Sequence, residues 1–220
     1  MKKPVLHILW LIFLLSGCSS SSTTWTSKAF HNTTAHYNGY FYAKDEITKI
    51  EKTILEGKGD DYNDILQLFP AIDSAQAKGY DKEIQEAIKM ASLSIQRHPN
   101  SKWVDDCYIL VGKARLYSLD LGNAVQTFKF VNTKSKNPDR RHEAIIQLAR
   151  TFIEHQEYNN AEAAFDFLEK EKLSKVNRKN FHLQQAHYYQ LRKDYDNMVR
   201  NLTQAVPKPP KLYSEEHMRY

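Results

Sequence analysis

Two cysteines, nine histidines and a few adjacent acidic pairs are the side chains of this chain whose chemistry can go beyond packing. The histidines do not form a metal set. His31 and His36, like His182 and His187, stand five apart and so off a common helical face. His142-Glu143 lacks the second histidine of a zinc-protease helix. No Cys-x-x-Cys, Gly-x-Ser-x-Gly or glycine-rich phosphate loop occurs. Asp60-Asp61 and Asp105-Asp106 are neighbours in sequence, so their carboxylates diverge; they read as loop and capping residues. The sequence therefore predicts no enzyme: no catalytic residue, no metal, no cofactor and no small-molecule substrate. Cys107 reads as a small buried hydrophobe. Cys18 is different. Its thiol follows Ser16-Gly17 at the end of an apolar run, where the expected chemistry is covalent attachment of a lipid.

The elements around Cys18 support that reading. Lys2 and Lys3 give a short positive start, Val5 to Leu15 an apolar stretch broken only by His7, and small residues then precede the thiol. This is the order of an export signal. The stretch is far shorter than the roughly 20 residues that span a bilayer. Ser16-Gly17-Cys18 resembles the lipobox of bacterial lipoprotein signals. That implies cleavage after residue 17 and acylation of Cys18, palmitate being the usual kind of chain. Several chains together anchor stably, at about 0.8 kcal/mol per buried methylene. Ser19 follows Cys18 where, by resemblance, inner-membrane lipoproteins carry Asp; this points to the outer membrane.

The formal charge of +5 loses two units with Lys2 and Lys3. What remains is too mild to argue for nucleic acid. With Cys18 lipidated, Cys107 has no partner for a disulfide. Seven glycines and seven prolines are few for 220 residues, and the prolines fall between periodic segments, which suits an all-α chain. Residues 18–29, rich in Ser and Thr, read as a lipidated flexible tether.

The body repeats. Ala87, Ala124, Ala161 and Met198 stand at successive 37-residue intervals. Four positions on come Ala91, Phe128, Phe165 and Leu202, and twelve positions before three of the anchors come Gly112, Ala149 and Ala186. A small residue followed by Ala-x3-Phe is the tetratricopeptide pattern, lengthened by about three loop residues from the usual 34. Helices are expected near 31–56, 61–77, 81–97, 102–118, 121–135, 140–155, 158–171, 176–192 and 195–206. Ser101 and Asp139 are expected N-caps. The domains follow as a signal over 1–17, the tether, an aromatic helix over 30–57, and a tetratricopeptide-like helical-hairpin solenoid over 58–212. Residues 213–220 read as the start of a further helix, predicting that the chain continues in a longer protein. Asp73-Ser74-Ala75 resembles a periplasmic O-glycosylation sequence of Bacteroidetes, which makes Ser74 a modification candidate. Arg178-Lys179, Arg192-Lys193 and Arg200 bias the C-terminal third positive.

The aromatic helix carries the most specific run. Tyr37, Tyr40, Ile47, Ile50 and Ile54 form a stripe expected to pack on the first repeat, with His36, Asn38 and Tyr42 off it. The run Asn32-x-Thr34-Ala35-x-Tyr37-Asn38-x-Tyr40-Phe41, shortly after a lipidated cysteine and before the repeats, resembles the SprE/PorW lipoproteins of Bacteroidetes. The resemblance implies an outer-membrane, periplasm-facing component of the type IX secretion system, which supports gliding motility in some members. Its partners would be the membrane, through the lipid, and other envelope proteins of that machine. Family members are much longer, and Tyr42 stands where a smaller polar residue is expected. Two other lipoprotein types share the repeats. One is a BamD-like protein assisting outer-membrane assembly, whose signature is not this aromatic run. The other is a SusD-like glycan binder, which predicts surface export and an exposed aromatic platform.

Overall fold

A computed structural model describes residues 24–57, 59, 63 and 65–206. The signal, Cys18, residues 60–62, the prolines from Pro207 on and the expected final helix lie outside the described residues. The described chain is all-α, without strands among those residues. Its elements are α1 (Trp25–Ala35), a π-helical turn (His36–Tyr40), α2 (Phe41–Glu56), α3 (Ser74–Gly79), α4 (Asp81–Arg97), α5 (Val104–Tyr117), α6 (Leu121–Lys134), α7 (Pro138–Glu154), α8 (Tyr158–Glu169), α9 (Lys175–Leu191) and α10 (Tyr195–Ala205).

Most boundaries fall within two residues of those expected, and the differences have local causes. The N-terminal helix begins at Trp25, inside the expected tether, because the Thr24 hydroxyl caps it by accepting from the Ser27 N–H. Asp139 does not cap α7. Pro138, with its fixed φ and no N–H, takes the first helical position, so the cap falls to Asn137, whose side chain accepts from the Asp139 N–H at 3.0 Å. The helix expected over 61–77 shrinks to α3, begun by the Asp73 cap. Among the described residues, 65–73 are non-helical, and Pro70 cannot supply an N–H to continue a helix.

Helices pack in pairs: α2 with α4, α5 with α6, α7 with α8, and α9 with α10. The leading helices α2, α5, α7 and α9 also pack in sequence on one another, which stacks the four hairpins into a row. The 37-residue register falls at the centre of each pair. Ala87, Ala124 and Ala161 are fully buried, as are Ala149 and Ala186 of the leading helices, Phe128 and Phe165 nearly so, and Ala186 packs with Met198 of the same register. Gly112 is a position where size decides the packing: a Cβ there would lie 2.7 Å from Phe128 Cζ and 2.9 Å from its Cδ1. Cys107 is buried, and burial pushes its thiol up to about 12.

The three later hairpins share one turn. Leu119, Gln156 and Lys193, again 37 apart, each adopt φ near +60°. Asp120, Glu157 and Asp194 follow them and accept hydrogen bonds from the side chains of Asn123, Asn160 and Asn197. Acid and amide close the turn and begin the next helix.

Candidate functional site

The stripe of the N-terminal helix is Ala35, Ala43, Ile47, Ile50 and Ile54, all buried, with Tyr40 partly so. The step from Ala35 to Tyr40 is five residues, and the π-helical turn absorbs it. This extra residue rotates Tyr37 out of the expected stripe to 66 % exposure. Gly39 makes room for α4 at this turn; a Cβ there would sit 2.8 Å from the Met90 carbonyl oxygen. π turns of this kind recur at functional positions in helices.

The residues of the aromatic run divide in two. Asn32 anchors the helix: its Oδ1 accepts from the Lys102 N–H at 2.8 Å. His36 and Tyr40 lie against the Trp103 ring, with centroids 4.4 and 4.7 Å away. Nearby, His31 and His98 share a hydrogen between Nδ1 atoms 2.8 Å apart. Burial and then the His31 ring lower His98 below the ordinary histidine range. The other half points outward. Tyr37, Asn38, Phe41 and Tyr42 are exposed, as are Trp25 and Phe30 earlier in the helix, and Thr34 is half-buried. Trp103 and Lys102, in the turn between α4 and α5, are partners that sequence spacing does not reveal.

A second feature lies between the leading helices. A cleft of about 320 Å³ is bordered by Glu51, Phe69, Lys113, Tyr117, Arg150 and Gln184. It is contiguous, through Glu51 and Lys113, with one of about 230 Å³ beside Tyr40, Asp106 and Arg140. Its basic side chains Lys113 and Arg150 are 37 apart, and His187, the next in that register, is buried against the Phe69 ring outside the lining. Lys113 pairs with Glu51, which also accepts from the Tyr117 hydroxyl at 2.6 Å. Burial alone would raise Glu51, but Lys113 and the Tyr117 hydrogen bond bring it below its ordinary value. Arg150 donates to the Tyr117 hydroxyl at 3.3 Å and stacks between Phe69 and Tyr117, 5.0 and 5.4 Å from the ring centres. Burial, and secondarily Arg150, push His187 down to about 3, so it is neutral in the fold.

The acidic pair Asp105-Asp106 sits in the first turn of α5, its carboxylates diverging as expected. Asp105 accepts from the Ser135 hydroxyl at 2.6 Å, and Asp106 meets Arg140 at 2.9 Å. Asp106 is a buried ion-pair member, not an exposed loop residue; burial pushes it up to about 6 despite Arg140. Ser74 is exposed at the start of α3. Among the described residues, no group of three His, Cys, Asp or Glu is placed to hold a metal ion, and no helix is long and apolar enough to cross a membrane. The arrangement offers two surfaces for recognition, one aromatic and outward, the other polar and recessed. Compared with known proteins, the chain matches no protein-family model and no curated sequence.

Proposed function

We propose that the protein is a lipid-anchored, periplasm-facing scaffold of the outer membrane that links envelope components of the type IX secretion system and serves gliding motility where that occurs. Cys18 is its anchor. The stacked hairpins, with small residues opposite Phe128 and Phe165 at a 37-residue spacing, support a tetratricopeptide-like solenoid. Its partners are the membrane and other proteins, with no nucleic acid, cofactor or catalytic step.

The observation that carries the reading is the division of the aromatic run. Asn32, His36 and Tyr40 are used to fasten the helix, while Tyr37, Asn38 and Phe41 face outward. Aromatic side chains held outward on a rigid helix are the anchors from which protein interfaces are built. The sequence places this surface close to the lipid, so its partner lies near the membrane.

The test is a Tyr37→Ser/Phe41→Ser variant. Both side chains are exposed, so stability should change by no more than about 0.5 kcal/mol, while secretion of type IX cargo falls. Normal secretion by the folded variant refutes the proposal. A general loss of outer-membrane proteins on deletion points instead to the BamD-like role, and specific binding of purified protein to a glycan to the SusD-like one.

A further inference from the structure

Between α2 and α3 the chain leaves its helices, and residues 65–70 pass along the edge of the cleft to reach α9. One side chain fastens their backbone. Gln190 Nε2 donates to the Leu66 carbonyl at 2.8 Å, and the Leu68 N–H donates to Gln190 Oε1 at 2.9 Å. A planar amide thus reads one C=O and one N–H two residues apart, as a neighbouring strand would. Leu68 is buried in a small cluster with Ala186 and Met198. Phe69 lies under the Arg150 guanidinium and meets the His187 ring edge-on, 5.2 Å between centres.

The residues that make these contacts depart from the repeat. Gln190 occupies the register of Leu116 and Ile153, which are apolar and buried in the two preceding hairpins. An amide in that register costs stability unless its hydrogen bonds are made, and both of the bonds described go to the segment. Arg150 is 8 % exposed, forms no ion pair among the described residues, and its Nε has no hydrogen-bond partner there. The Phe69 face stabilises its charge.

We propose that the surface of α7 and α9 at the edge of the cleft is a groove for a peptide bearing an aliphatic–aromatic pair, and that residues 66–69 lie in it in cis as a removable stand-in. A partner segment of the same chemistry displaces this strap. Its backbone takes the Gln190 amide, its aliphatic side chain the Leu68 pocket, and its aromatic ring the face of Arg150. The spacing of the two backbone bonds is what favours a polypeptide, since a peptide backbone presents a C=O and an N–H two residues apart. The inference stands on the groove alone and does not depend on which envelope machine the protein serves.

The test uses a fluorescent peptide of residues 63–72 and a Leu68→Ser/Phe69→Ser variant that loosens the strap. Anisotropy should show at least tenfold tighter peptide binding to the variant than to the wild type. Adding Gln190→Leu, which restores the apolar residue of the repeat, should remove that gain. A folded variant that binds the peptide no better than wild type overturns the proposal, as does full binding without Gln190. Hydrogen exchange on the wild-type protein decides the matter if the variant does not fold. The Leu68 amide should exchange at least tenfold faster than the buried amides of α7; exchange at their rate makes the strap an integral part of the fold and ends the proposal.

Discussion

Lowering the pH should test whether the layer around His187, against the Phe69 ring, is as dry as its packing requires. His187 is 4 % exposed, and its protonation falls to about pH 3 in the fold, against 6.5 for an ordinary histidine. Above pH 6.5 the ring is neutral in both folded and unfolded chains and contributes no pH dependence. Below 6.5 the unfolded chain takes up a proton that the folded chain refuses. Each pH unit then costs about 1.4 kcal/mol of stability. Between pH 6.5 and 5 that amounts to about 2 kcal/mol. Asp106 works in the opposite direction. Its folded value is raised to about 6 from an ordinary 3.8, so the folded chain binds its proton first and gains about 1.4 kcal/mol by pH 5. The stability of the whole protein is therefore a poor reporter, and the difference from a His187→Leu variant is the useful quantity. Urea unfolding of both proteins at pH 7 and pH 5, followed by circular dichroism, measures it. Whatever constant offset Leu brings cancels, and the wild type should lose about 2 kcal/mol relative to the variant. A difference unchanged within about 0.5 kcal/mol would mean that the folded protein protonates His187 as readily as the unfolded chain does, and the account of a water-excluding layer around it would fail.

Two further changes probe the repeat itself. Gly112→Ala places a methyl against the buried Phe128 ring; overpacking costs about 1–3 kcal/mol and the better helix former returns about 1. Thermal melting should therefore show a net loss of about 1 kcal/mol, relieved in the Gly112→Ala/Phe128→Leu double variant. A single variant as stable as the wild type would show that the ring yields. Gln156→Gly and Lys193→Gly remove the strain of a left-handed non-glycine residue. Each should raise stability by about 0.5–1 kcal/mol, additively because the turns are far apart; a loss in either would locate a needed side-chain contact at that turn.

The hairpin register was legible because a 37-residue period in small and aromatic residues is a direct consequence of each hairpin burying the same face. Ala87, Ala124 and Ala161 show it, and so do the paired Gly112 and Phe128. The acid–Asn turns and the row Lys113, Arg150 and His187 obey the same period but are polar, so a search for apolar periodicity passes over them. The exposure of Tyr37 could not be read from an ideal 3.6-residue repeat, since it depends on one extra residue in the His36–Tyr40 turn. The role of Trp103 in holding the aromatic helix is a contact between distant segments, invisible to spacing. Residues 61–77 were expected to form one helix. Residues 65–73 are instead non-helical, bending at Leu68 and Phe69, and the Leu66 carbonyl and Leu68 N–H find Gln190, more than a hundred residues later.

That distant contact alters the mechanics of the row. The last described hairpin meets the one before it through side chains that reach between α8 and α9, Phe165 against Phe181 and Tyr188, and Tyr188 hydrogen-bonded to Glu162, while α9 also lies on α7. In an open row a hairpin is held only by its neighbours. Here Gln190 also ties the last described one back to the first hairpin through a segment anchored at Ile72 and Tyr80. The row thus behaves less like an open spring than like a bow with its string drawn. Load on the last described hairpin then reaches the first through the string as well as through the stacked helices, and slackening the string leaves the stack alone to resist bending.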